Sequence, residues 1–161
     1  MITIEGGNEV LREQVLHACE FYMQELFSDQ MIENISVKIV FIDLKAQKIH
    51  GACEPDTSRT PPRRFNIELE RNKRPGRIIE DLAHEMVHAK QYAYGELRDT
   101  GDDAKSYWHG ELVECNIHDN LEYWDAPWEH EAFGRGYCLY AKYRRLRKRA
   151  YWRGEDVIGK L

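Results

Sequence analysis

The sequence predicts an α+β fold: a small sheet packed on one central amphipathic helix, with further helices near both ends of the chain. Three observations predict it. Apolar residues recur at helical spacing over residues 8–28 and again over 75–95. Between them, 35–42 and 64–70 are rich in β-branched and aromatic residues. A third helical stretch opens at Pro127, a residue suited to a first helical turn. The order is helix, strands, helix, loop, helix. At 161 residues the chain is expected to form a single domain, 1–161, with one core.

The first helix, "NEVLREQVLHACEFYMQELFS" (8–28), takes Asn8 as its N-cap. Val10, Val15, Leu16, Cys19, Tyr22, Met23, Leu26 and Phe27 make its apolar stripe, and His17 falls at the rim. "ISVKIVFI" (35–42) reads as a buried strand, with a second short strand at 48–53. "EPDTSRTPP" is a loop. "RFNIELE" (64–70) alternates Phe65, Ile67 and Leu69 with polar residues, which predicts a half-solvated or edge strand. The central helix runs from Pro75 to Gly95, a suitable C-cap. Residues 96–126 read as a long polar loop with one short helix near 110–117, and the last helix runs from Pro127 to about Trp152.

Composition narrows the function classes. With 42% apolar residues the chain can build a core, and no stretch approaches the ~18 apolar residues of a membrane span. The start, "MITIEGGNEVLREQ", lacks the basic and apolar regions of a secretory signal, so a cytoplasmic location is expected. Cys19, Cys53, Cys115 and Cys138 are widely spaced and read as free thiols. Cys115 and His118 in "CNIH" form half of a zinc-knuckle pattern with no second half, and read as a chance pair. Charge is uneven. Residues 142–161 carry eight Lys/Arg and two acids, whereas 1–141 carry 15 basic and 26 acidic residues. The basic end, "KYRRLRKRAYWR", reads as the solvated end of a helix, where cations favour the helix dipole. Contact with nucleic acid is the less favoured reading.

The chemistry concentrates in "DLAHEMVHAKQYAYG" (81–95). His84 and His88 are four apart, so on a helix their side chains lie on one face, one above the other. That spacing suits two ligands of a tetrahedral zinc ion. Glu85 lies about 100° round the helix, within reach of a water at the metal without being a ligand itself. This is the arrangement of a general base in HExxH peptidases. The stripe beside the motif (Leu82, Ala83, Met86, Val87) is apolar. Two histidines near such a core face, without a partner, are costly to bury.

Two histidines need a third ligand. His109, in "SYWHGEL", lies 21 residues beyond His88; Glu129 and Glu131 lie in "APWEHEAFGRGY". The two glutamates are two apart, so they point to different sides of a helix. The face of Glu129 continues through Ala132, Phe133, Gly136 and Tyr140, small and aromatic. That of Glu131 continues through Gly134, Arg135, Cys138 and Lys142, more polar. The packed face is the one brought to the central helix, which makes Glu129 the better placed. Glu131 and His109 stay open as alternatives.

"HEMVHAKQ" followed by "YWDAPWEHEAFGRG" resembles the small zinc metallopeptidases often encoded by bacteriophages, described as SprT-like, with their signature of HExxHxxQ and PWExEA. The likeness spans roughly residues 64–140. It implies a minimal zincin-like domain and, similar to gluzincins such as thermolysin, a glutamate as third ligand. It also implies one Zn2+ per chain, a peptide or protein substrate and, for a phage-encoded chain, the host cytoplasm. Peptide bonds would be hydrolysed by a metal-activated water, with Glu85 as base and strand 64–70 binding an extended peptide. The chain departs from SprT and Spartan proteases, which use a histidine of an HG pair closer to HExxH and, in bacterial SprT, add a Cys-rich ribbon. A Spartan-like protease acting on nucleic-acid-associated proteins and a non-catalytic structural zinc module are the alternatives. An oxyanion donor is expected without being singled out among Tyr92, Tyr94, Tyr107, His109, Tyr123 and His130.

Overall fold

A computed structural model describes residues 1–102, 104–115 and 120–152. The chain is mixed α+β. Its main sheet has four strands: β1 (Ile2–Glu5), β2 (Ser36–Ile42), β3 (Gly51–Pro55) and β4 (Arg64–Glu70). Their order is β1-β2-β4-β3, with β1, β2 and β4 parallel and β3 antiparallel to β4. Helix α1 (Glu9–Leu26) follows β1, and a short α2 (Asp29–Asn34) leads into β2. Helix α3 (Pro75–Tyr94) follows β4, and α5 (Pro127–Trp152) closes the described chain.

Local chemistry sets these boundaries. The Asn8 side chain accepts from the Leu11 N–H at 2.8 Å and starts α1. Pro75 opens α3, and Gly95, at φ 73°, closes it in the left-handed conformation. In α1 the helical stripe buries Val15, Cys19, Tyr22, Met23, Leu26 and Phe27 at its end, whereas Val10 and Leu16 lie exposed at its margin. These residues meet Val37, Ile39, Ile67 and Leu69 of the sheet and Ile78, Ile79, Leu82 and Met86 of α3 in one core. Burying that many large apolar side chains, at about 1.5–3 kcal/mol each, is the main force holding the helices on the sheet.

Two expectations are corrected. Strand β4 is not at an edge: it lies between β2 and β3. Its period-two pattern is real, with Phe65, Ile67 and Leu69 buried and Asn66 and Glu68 partly exposed. The half-solvation comes from a sheet face with less cover, which a single strand's sequence cannot tell from a free edge. Residues 96–126 are not one loop. They form a second, antiparallel sheet, β5 (Leu97–Asp99), β6 (Lys105–Trp108) and β7 (Glu111–Glu114), then a short α4 (Asn120–Trp124). These strands are too short and polar to announce themselves; Leu97 is buried, but Leu112 is exposed.

The basic segment up to Trp152 is the end of a long helix, as expected, but one of its faces is packed rather than solvated. Residues 142–152 continue α5, and Leu139, Tyr143 and Arg147 are buried on one face. The Tyr143 hydroxyl lies 3.2 Å from His17 Nδ1, and its ring packs against Phe21 and Tyr22 of α1. Lys142, Arg144, Arg145, Lys148 and Arg149 take the exposed face. Residues 153–161 and His118 lie outside the described residues. Among the described residues, no helix is long and apolar enough to cross a membrane.

Candidate metal centre

Helix α3 carries His84 and His88 on successive turns, and their rings meet edge to face with centroids 4.7 Å apart. The two Nε2 atoms are 3.1 Å apart. Helix α5 brings the Glu129 carboxylate against the pair. Its Oε2 stands 3.3 Å from His84 Nε2 and its Oε1 stands 3.3 Å from His88 Nε2. Glu129 is only 1% exposed, so this is a carboxylate taken out of water to face two imidazoles.

The close approach of the helices has a local cause. Gly136, two turns beyond Glu129 on α5, lies against the backbone of His84. A Cβ there would stand 3.0 Å from His84 Cα and 3.1 Å from His84 N. Ala132, one turn nearer Glu129, is fully buried. Small residues on this face let the helices approach until Glu129 reaches the histidines. Phe133 packs its ring on His84, centroids 4.6 Å apart, and Trp124 packs on Phe133 at 5.1 Å.

The distances test whether a metal fits. A tetrahedral ion with bonds of about 2.0–2.1 Å sets its ligand atoms about 3.3–3.4 Å apart. The nitrogen and oxygen atoms of His84, His88 and Glu129 face one another at 3.1–3.3 Å. Glu129 Oε2 is buried and makes no aligned hydrogen bond, although it lies beside His84. A buried carboxylate oxygen left so is unusual, and a cation between the three groups would satisfy it. His84, His88 and Glu129 are thus a group that can hold a metal ion.

The field within the site is strong. Burial alone would lower the His88 pKa, but its contact with Glu129 and the nearby Glu85 raise it to about 9. Burial pushes the Glu129 carboxyl up, yet His84, His88 and the Tyr123 hydroxyl together hold it well below the usual carboxylate range. Burial also pushes Glu85 up, opposed by His88 and His84. Glu85 is 6% exposed, and its side chain lies under Gly51 of β3: a Cβ on Gly51 would come within 2.8 Å of Glu85 Oε1.

The other candidate ligands go elsewhere. Glu131 accepts from Lys90 Nζ at 3.0 Å, from Gln91 Nε2 at 3.0 Å and from Arg135 at 3.4 Å. His109 sits at the exposed tip between β6 and β7, its ring against Trp108. His109 and Gly110 have φ of 49° and 88°, and Trp108 pairs with Glu111 across them. Positive φ at both residues is what a type I′ hairpin turn requires, so this HG pair builds a turn. Of the aromatics weighed as oxyanion donors, Tyr123 stands beside Glu129, while Tyr92 donates to Asp99 at 3.0 Å. Sequence reasoning misses the roles of Gly51 and Gln91, and places Gly136 only as one small residue on the Glu129 face. Gln91 carries a signal as the glutamine that ends HExxHxxQ, but a spacing does not say what its side chain touches.

The fold and site together define a mixed α+β protein with a two-histidine, one-glutamate group able to hold a metal ion. The chain matches no family model, no curated protein and no solved structure.

Proposed function

We propose that this chain is a zinc-dependent metalloendopeptidase of the HExxH class, built as a minimal zincin-like domain of the SprT-like or gluzincin kind. One observation carries the reading: Glu129, from a helix remote in sequence, meets the His84–His88 pair at 3.3 Å while Glu85 lies on the next position of α3. Two imidazoles and one carboxylate suit zinc and leave a fourth position open. Zinc, when bound there, supplies a Lewis acid and an activated water. His84, His88 and Glu129 bind and orient the ion. Glu85 takes the water's proton on its carboxylate and passes it to the departing amine nitrogen.

The site of strand addition shifts from the sequence expectation. β4 is paired on both sides, whereas β3 ends the sheet and runs beside Glu85 at Gly51. An extended peptide adding to β3 would lie along the same wall as the general base.

The decisive experiment replaces Glu85→Gln. Zinc stoichiometry is expected to stay at one per chain while peptide cleavage is lost. Loss of zinc along with activity would make Glu85 structural. A wild-type protein that binds zinc tightly and cleaves no peptide would instead support a structural zinc module.

A further inference from the structure

We infer that Gln91 is the positioning residue of this centre, joining the helix that carries the histidines to the helix that carries Glu129. The inference rests on the metal reading above. The Gln91 side chain is fully buried, and each of its polar atoms is engaged. His88 Nδ1 donates to Gln91 Oε1 at 2.9 Å. Gln91 Nε2 donates to the Trp128 carbonyl at 2.9 Å and to Glu131 Oε2 at 3.0 Å. The amide has only one workable orientation. Reversed, its oxygen would face a carbonyl and a carboxylate, two acceptors with no proton between them.

That orientation has two consequences. His88 must carry its proton on Nδ1, so in the neutral ring the Nε2 lone pair faces His84 and Glu129. The carbonyl held by Gln91 belongs to the residue directly before Glu129, so the same side chain ties the first turn of α5 to α3. Glu131 completes the arrangement. Anchored by Lys90, which also meets Glu96 at 2.6 Å, it holds the Gln91 amide in place. Glu131, weighed from sequence as a ligand, acts through Gln91.

The test compares Zn2+ affinity, by competition with a chromophoric chelator at fixed pH, in wild type, Gln91→Leu, Gln91→Glu and Gln91→Glu/Glu131→Gln. Circular dichroism checks folding, and the visible spectrum of the Co2+ form reports ligand geometry. Gln91→Leu is expected to lower affinity by about 10–100-fold, the usual effect of losing a contact that orients a ligand, and to alter the Co2+ spectrum. Gln91→Glu keeps the acceptor for His88 but sets a carboxylate against Glu131, and is expected to bind more weakly. Adding Glu131→Gln removes the clash between the two carboxylates but leaves the Trp128 carbonyl without its donor, and should recover part of the affinity that Gln91→Glu loses.

A folded Gln91→Leu protein with wild-type affinity and spectrum overturns the inference. Should that variant not fold, the pair decides: a double variant that binds Zn2+ no more tightly than Gln91→Glu alone overturns it equally. A wild-type protein that binds no Zn2+ overturns the metal reading and this inference together. One that binds Zn2+ without cleaving peptide overturns only the peptidase reading.

Discussion

The backbone of His84 is in contact with Gly136: a single Cβ on that glycine would stand 3.0 Å from His84 Cα. The candidate metal centre thus depends on a helix crossing as much as on His84, His88 and Glu129. Gly134, one position before Arg135 on the same helix, meets nothing within 4 Å. The two glycines should therefore respond oppositely to alanine. Gly134→Ala is expected to stabilise by up to about 1 kcal/mol through helix propensity. Gly136→Ala gains the same propensity but forces the helices apart, at a cost of about 1–3 kcal/mol, and should weaken metal binding. Chemical denaturation and metal titration of both variants check this.

The third ligand is separable by substitution. Glu129→Gln should reduce zinc affinity by more than the roughly 10–100-fold typical of lost supporting contacts. His109→Ala, at the exposed hairpin tip, should leave affinity and stoichiometry unchanged. Equilibrium zinc titration distinguishes them.

Gly51→Ala tests the placement of Glu85. The new methyl would come within 2.8 Å of Glu85 Oε1 and 3.1 Å of the Glu68 carbonyl oxygen. The carboxylate can swing away; the Glu68 backbone, held in β4, cannot. Peptide cleavage is expected to fall by a larger factor than zinc affinity, at a stability cost of about 1–2 kcal/mol. Measuring kcat/KM beside zinc affinity reads the two effects separately.

The His88–Glu129 contact makes metal-free stability depend on pH. A raised histidine pKa adds stability that is complete below about pH 6.5 and lost as pH rises through about 9. A lowered glutamate pKa adds stability above about pH 4.3 and loses it on further acidification. The pair therefore contributes most at about pH 4.5–6.5. In chelator, Tm should fall from pH 6.5 to 9.5. Zinc needs His88 neutral, so its affinity should rise across the same range by up to about tenfold per pH unit. Thermal melts with zinc and with chelator should diverge as pH increases.

The basic face of α5 calls for charge reversal rather than truncation, because removing 142–161 would also remove buried Tyr143 and Arg147. Tyr143→Ala is expected to cost about 3–5 kcal/mol, as for other large buried aromatics. Arg145→Glu/Lys148→Glu/Arg149→Glu should stay within about 0.5 kcal/mol of wild type per site and cleave peptide normally. Comparing wild type and this variant in a duplex-DNA binding assay decides the nucleic-acid reading; a large loss in the variant would establish it.

The sequence by itself determined the parts that depend on neighbours along the chain. The i, i+4 spacing of His84 and His88, the apolar stripes of α1 and α3, and the caps at Asn8, Pro75 and Gly95 are written in short windows. So is the preference for Glu129, since Ala132 and Gly136 mark one face of α5 as closely packed. Only the tertiary structure decided what depends on partners far away in sequence. It placed β4 inside the sheet and β3 at one edge, because strand order is not encoded in any strand's own alternation. It turned His109-Gly110 into a hairpin tip, because the pairing of β6 with β7 sets the backbone there. It gave Gln91 and Glu131 their partners, because a side-chain amide's hydrogen bonds are fixed by what the opposite helix presents to it.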